Sequence, residues 1–157
     1  MRKIERFAIK LSSSVQLSFE KRRAVLFVRE TQTTIVRMRI AYKTLIKNLT
    51  QYRQVAHGTE ALLDNFYIID SALTEISERW RNKEILYIPQ ISDYEGRSQP
   101  RAYQIAKAFV RETNACINRD SVVAFLTAYQ RTAPLSMREL DIFPDMLRFA
   151  LIEEVLL

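Results

Sequence analysis

Leu62, Phe66, Ile69, Leu73, Ile76 and Trp80 follow one another at steps of four, three, four, three and four residues. A helix turns that spacing onto a single face, whereas a strand would scatter the same side chains over both of its faces. Asp64, Asn65 and Asp70 stand at the margin of the stripe, so the segment reads as a helix with one apolar face and a polar border. The rest of the chain is short of what other folds need. Two glycines and four prolines in 157 residues leave little for the tight turns of a sheet. The expected fold is all-α, a multi-helix bundle.

The longest regular signal lies just upstream. Val28, Thr31, Ile35, Met38, Tyr42, Leu45, Leu49, Tyr52 and Ala56 alternate steps of three and four. A seam that narrow predicts a long helix over 28–57, packed at a shallow angle on another long helix. Gly58 is placed to stop it in the left-handed conformation, and Thr59 to cap a second helix over 59–81. The two would form an antiparallel hairpin at the centre of the bundle. His57, the single histidine, would then sit at a helix C-terminus and bond its last carbonyls.

Before the hairpin, Ile4, Phe7, Ala8, Leu11 and Val15 mark a helix within 3–20, weakened by Ser12-Ser13-Ser14. The apolar run Ala24-Val25-Leu26-Phe27-Val28 suits a short strand or a buried helical turn, and the unbroken pattern downstream favours helix. After the hairpin, Pro89, Pro100 and the turn-like Asp93-Tyr94-Glu95-Gly96 predict one long ordered loop near 82–100, tacked down by Ile85-Leu86-Tyr87-Ile88. Ala102, Ile105, Ala106, Phe109 and Val110 restart a helix that ends near Asn114. Asp120 or Ser121 is placed to cap the next one, which Pro134 terminates. Ser136-Met137-Arg138-Glu139 has the capping-box spacing. Pro144, eight residues on, would kink that last helix or begin a new one. The chain stops in mid-pattern at Val155-Leu156-Leu157, the ending expected of a cut from a longer polypeptide.

Few side chains carry chemistry by themselves. One cysteine, Cys116, excludes an internal disulfide, and with one histidine it leaves no material for a zinc cluster. Cys116 is expected as a small buried hydrophobe on a helix, and the low cysteine use points to a reducing compartment. Asp93 and Glu95 alone make a poor cation site. No metal, cofactor or catalytic constellation is predicted. Neither a signal peptide nor an apolar run of about 18 residues is visible. Charge is uneven: residues 1–57 hold 13 Lys/Arg against three acids, a net of +10, while residues 58–157 hold 11 against 15, a net of −4. The basic third is either a solvated helical face or a surface for an anionic membrane, an acidic protein or nucleic acid.

Four blocks resemble one known family. Ala61-Leu62-Leu63-Asp64-Asn65-Phe66 is similar to the Trp-Leu-Leu-Asp-Asn-Phe/Tyr helix of bacterial cyclic β-1,2-glucan synthases. Tyr87-Ile88-Pro89 and Pro100-Arg101-Ala102-Tyr103 resemble their Leu-Pro connection and the following Pro-Arg-x-Tyr helix. Ala128-Tyr129-Gln130-Arg131-Thr132-Ala133-Pro134-Leu135 is similar to an Ala-Tyr-Gln-x-x-Thr-Pro-Leu block. Glu139-Leu140, Pro144, Leu147-Arg148 and Leu151-Ile152-Glu153 resemble the ending. Ala61 departs from the pattern, standing where the family has tryptophan.

The resemblance covers residues 39–157. It implies a helical domain there, with residues 1–38 as a basic helical N-terminal extension. It implies a large inner-membrane parent that makes β-1,2-glucan from UDP-glucose, and for this chain a non-catalytic, cytoplasmic scaffold or regulatory module. The partners would be other domains of the same polypeptide, with the anionic membrane surface reached through residues 1–57. The alternative is a stand-alone basic helical protein binding nucleic acid or an acidic partner, although the spread of charge over long helices lacks a recognition helix. Within the matched blocks, Asp64, Asn65, Arg101 and Tyr129 are expected to form a polar network locking the 82–100 loop. Tyr103 would pack over the same junction, and Tyr129 and Gln130 would bond the turn before Pro134. Trp80, Tyr87 and Tyr94 are the candidate rings for stacking on a glucan.

Overall fold

The structure, a computed structural model, describes residues 3–13, 17–19, 21–52, 57–81, 84–92 and 97–156. The fold is predominantly helical: α1 Lys3–Ser12, α2 Lys21–Tyr52, α3 His57–Arg81, α4 Arg101–Glu112, α5 Arg119–Gln130 and α6 Met137–Leu156. A 3-10 turn, Glu84–Tyr87, and a small hairpin of β1 Gln90–Ser92 and β2 Ser98–Pro100 lie between α3 and α4.

The α2–α3 hairpin is present and antiparallel. Polar cross-links run along it. Gln32 and Ser77 exchange side-chain hydrogen bonds of 2.9 and 3.0 Å, and Arg39 reaches Asp70 at 2.6 Å and Thr74 at 2.9 Å. Further toward the reversal, Tyr42 stacks on Phe66. The reversal differs from the expected one. Gly58 and Thr59 lie in the first turn of α3, and His57 opens that helix rather than closing α2. Residues 53–56, between the two helices, lie outside the described residues.

Aromatic rings join the helices. Phe27 of α2, Trp80 of α3, Tyr103 of α4 and Phe149 of α6 form a closed ring of contacts with centroids 5.1–5.8 Å apart. Such edge and tilted pairs add to the burial term because ring edges are positive and faces negative. A second chain runs from Phe7 of α1 through Phe125 of α5 to Phe109 of α4. The apolar stripe of α3 therefore points into a core shared by several helices, in which α4 packs along α6 and α1 along α5.

The segment expected as a loop contains a hairpin. Gln90, Ile91 and Ser92 pair with Pro100, Gln99 and Ser98, and Ser18 adds a bridge by exchanging backbone bonds of 2.8 and 2.7 Å with Gln90. Ile85 and Ile88 hold the segment in the core. Once they are buried, the neighbouring backbone loses water and must find partners within the chain.

Helix ends follow local chemistry. Beyond α4, Asn114 takes a φ of 48°, and the Ala115 N–H bonds the Val110 carbonyl while the Asn114 N–H bonds that of Arg111. That is a Schellman stop with asparagine in the left-handed position. Asn118 caps α5, with Ser121 answering from its third position, in place of the expected Asp120 or Ser121. At α6 the expected box forms: Ser136 N–H donates to Glu139 at 2.8 Å, and Glu139 N–H donates to the Ser136 hydroxyl at 3.3 Å. The helix continues through Pro144 without interruption.

Candidate functional site

Pro100 ends β2 and sets the backbone for α4, so Arg101 leaves the strand pointing inward at the start of a helix. Its backbone N–H donates to Pro89 at 2.8 Å. Its guanidinium forks onto Glu139, Nε to Oε1 at 2.7 Å and Nη2 to Oε2 at 2.6 Å, and also donates to the Pro134 carbonyl at 3.0 Å. Glu139 Oε2 further accepts from the Ser136 N–H and hydroxyl at 2.8 and 2.9 Å. The side chains are 5% and 0% exposed. A pair this deep persists only if planar, bidentate geometry and added hydrogen bonds offset desolvation, and here both are present. The arrangement fastens the β-hairpin, the turn at Pro134 and the start of α6 to one point.

Tyr129 stands beside this pair. Its backbone carbonyl holds the turn, accepting from Thr132 at 3.2 Å and Ala133 at 3.1 Å. The buried phenol makes no hydrogen bond with the described residues. Burial pushes its pKa up to about 12, opposed by Arg101 and reinforced by Glu139. The neutral phenol is thus the form the fold favours, so this contribution is whole below pH ~10 and is lost as pH rises through about 12. The loss expected from Tyr129 is about 3 kcal/mol. Tyr129→Phe should flatten that part of the stability curve, and urea midpoints between neutral and alkaline pH would reveal it.

The expected network is therefore replaced in part. Arg101 takes Glu139 as its carboxylate, and Tyr129 feels the charge of both without a hydrogen bond to either. Asp64 and Asn65 lie on the exposed side of α3. Gln130 is half-buried at the end of α5. The pattern marks Glu139 as a capping residue, and nothing local shows that the same carboxylate also receives an arginine from 38 positions upstream.

Tyr103 belongs to a second polar centre. Its hydroxyl donates to Glu153 at 2.5 Å, and Lys107 reaches the same carboxylate at 3.2 Å while lying 5.3 Å over the Tyr103 ring. Burial, and then the bond to Glu153, push the Tyr103 pKa well above the usual phenol range. That hydroxyl is a donor and not a base. These groups edge an open polar cleft of about 320 Å³, whose lining includes Thr31, Arg37, Gln99, Lys107 and Glu153. The cleft offers hydroxyls, an amide and both signs of charge to a polar ligand. Sequence reasoning missed Lys107 and Glu153 as a pair, because they meet only when α4 lies along α6.

The ring candidates separate by burial. Trp80 is 1% exposed and enclosed by Phe27 and Phe149, so it offers no face to a sugar. Its place on the α3 stripe had already pointed inward. Tyr87 is 54% exposed, with the Arg138 guanidinium 5.2 Å from its ring centre. Tyr94, Asp93 and Glu95 lie outside the described residues. Cys116 is exposed in the α4–α5 connection instead of buried on a helix. A polar contact also joins α3 to α6, where Arg79 meets Asp145 at 2.8 Å. Burial raises the Asp145 pKa while Arg79 and Arg148 oppose it. Among the described residues, no group of three His, Cys, Asp or Glu is placed to hold a metal, and no helix is long and apolar enough to cross a membrane.

Comparison with known proteins places one similarity on this frame. The chain is 27% identical over 127 residues to the cyclic β-(1,2)-glucan synthase NdvB of Rhizobium meliloti (strain 1021). The match takes in 81% of this chain and 4% of that protein's length. No protein-family model matches the chain. No solved structure matches it either.

Proposed function

We propose that the chain is a non-catalytic helical module of a cyclic β-1,2-glucan synthase system, acting as a scaffold or regulator for machinery elsewhere in the same polypeptide. The observation that carries this reading is the similarity to a small stretch of one such synthase, extending over most of this chain. The chemistry of the most buried polar centre agrees with it. Arg101 and Glu139 spend their hydrogen bonds on the turn and the helix cap, which suits a rigid junction more than a reacting group. Its partners are other domains of that polypeptide, and its place is the cytoplasmic face of the inner membrane.

A chimera tests the proposal. The matched stretch of the Rhizobium meliloti synthase is either deleted or replaced by residues of this chain, and glucan made from UDP-glucose is measured in isolated membranes. The deletion is expected to abolish or sharply lower synthesis and the replacement to restore part of it. The isolated chain should leave UDP-glucose intact. Turnover of UDP-glucose by the isolated chain, or full synthesis by the deletion, would overturn the reading.

A further inference from the structure

Helix α2 carries a second ladder besides its buried seam. Arg22, Leu26, Arg29, Thr33, Val36, Ile40 and Lys43 follow at steps of four, three, four, three, four and three, and so share one face. All of them are exposed. The aliphatic members are unusually so: Leu26 is 50%, Val36 54% and Ile40 57% exposed, and the neighbouring Val25 is 53% exposed.

This helix is strongly basic. It holds eight Lys/Arg and a single acid, Glu30. Arg39, turned toward α3, is spent on Asp70. Arg22, Arg29 and Lys43, on the outward ladder, enter no ion pair with the described residues. The result is a face about 30 Å long on which three cations are interspersed with bare aliphatic side chains.

We propose that this face docks on an anionic lipid surface. The inference comes from the α2 face alone and does not rest on the glucan-synthase reading. Complementarity selects the occupant. Along the axis the three cations stand about 10 and 20 Å apart, sparse against a duplex that carries a charge every ~1.7 Å. A nucleic acid would press phosphates onto Leu26, Val36 and Ile40, and the ladder has no aromatic ring to stack on a base. Lipid headgroups diffuse sideways and gather beneath each cation at any spacing. The apolar layer just below them receives the aliphatic side chains.

Sedimentation with vesicles tests this, using phosphatidylcholine alone or mixed with an equal part of phosphatidylglycerol. The chain should bind the mixed vesicles, and added salt should weaken that binding. Arg22→Gln/Arg29→Gln/Lys43→Gln should weaken it on the order of a hundredfold. Val36→Ser/Ile40→Ser should weaken it roughly tenfold. These residues are exposed, and unchanged thermal melts would verify that both variants fold. Duplex DNA and polyglutamate serve as rival anions at the same salt. No binding to the mixed vesicles overturns the proposal, as does indifference to the Val36/Ile40 substitutions or tighter binding to either rival. The glucan chimera can fail while vesicle binding survives, and the reverse, so the two inferences are separable.

Discussion

Glu139→Ala is expected to lower the free energy of unfolding by about 3–5 kcal/mol, a large share of what a domain of this size possesses. Three costs combine. The Arg101 guanidinium keeps its charge in a site that is 5% exposed. The Ser136 N–H and hydroxyl lose the oxygen they share. The first turn of α6 loses its capping box. Chemical unfolding followed by circular dichroism would measure the loss, and a change below about 1 kcal/mol would refute the view of this pair as a buried lock. A double replacement separates charge from shape. Arg101→Met/Glu139→Leu removes both ions together and should recover a substantial part of the loss, because no uncompensated charge remains. It should not recover all of it, since the Pro134 carbonyl and the Ser136 N–H are left without their side-chain partners.

The second large effect is expected at Trp80. Its ring is almost wholly buried and touches Phe27 and Phe149, so truncation to alanine opens a cavity where three helices meet. A cost of about 3–5 kcal/mol follows from lost transfer energy and incomplete collapse. Trp80→Phe keeps an aromatic ring and removes an indole N–H that has no hydrogen-bond partner among the described residues, so its cost should stay below about 1.5 kcal/mol. Denaturant midpoints for the two variants would check the contrast; equal losses would mean that the ring packing is not what stabilises the site. Addition of β-1,2-gluco-oligosaccharides should leave the fluorescence of this single tryptophan unchanged, because no sugar can reach it.

How much of this was legible differs by element. The α3 stripe was readable because burial repeats with the helical period, and Phe66, Leu73, Ile76 and Trp80 are buried as that period requires. The Ser136–Glu139 box was readable because its partners lie three residues apart. The β-hairpin was not: β1 and β2 are three residues each, too short to display a period, and β1 is completed by Ser18 from far upstream. The start of α3 was expected at Thr59, whereas that helix already begins at His57. Glycine makes a left-handed stop possible without requiring one.

The candidate site shows the same division. Arg101 could be named in advance, but its carboxylate could not, since several acids were equally free to serve and only the approach of α6 to α4 selects Glu139. Asp64, the expected partner, is exposed, while the stripe beside it buries Phe66.

By itself, then, the sequence determined the helical class, the buried faces of the long helices and the cap of α6, because these depend on spacings of three and four residues along one chain. Tertiary structure alone decided which charges pair, which rings touch and how much of α2 outside its seam stays uncovered. Those outcomes depend on distances between segments, and local periodicity places no restriction on them.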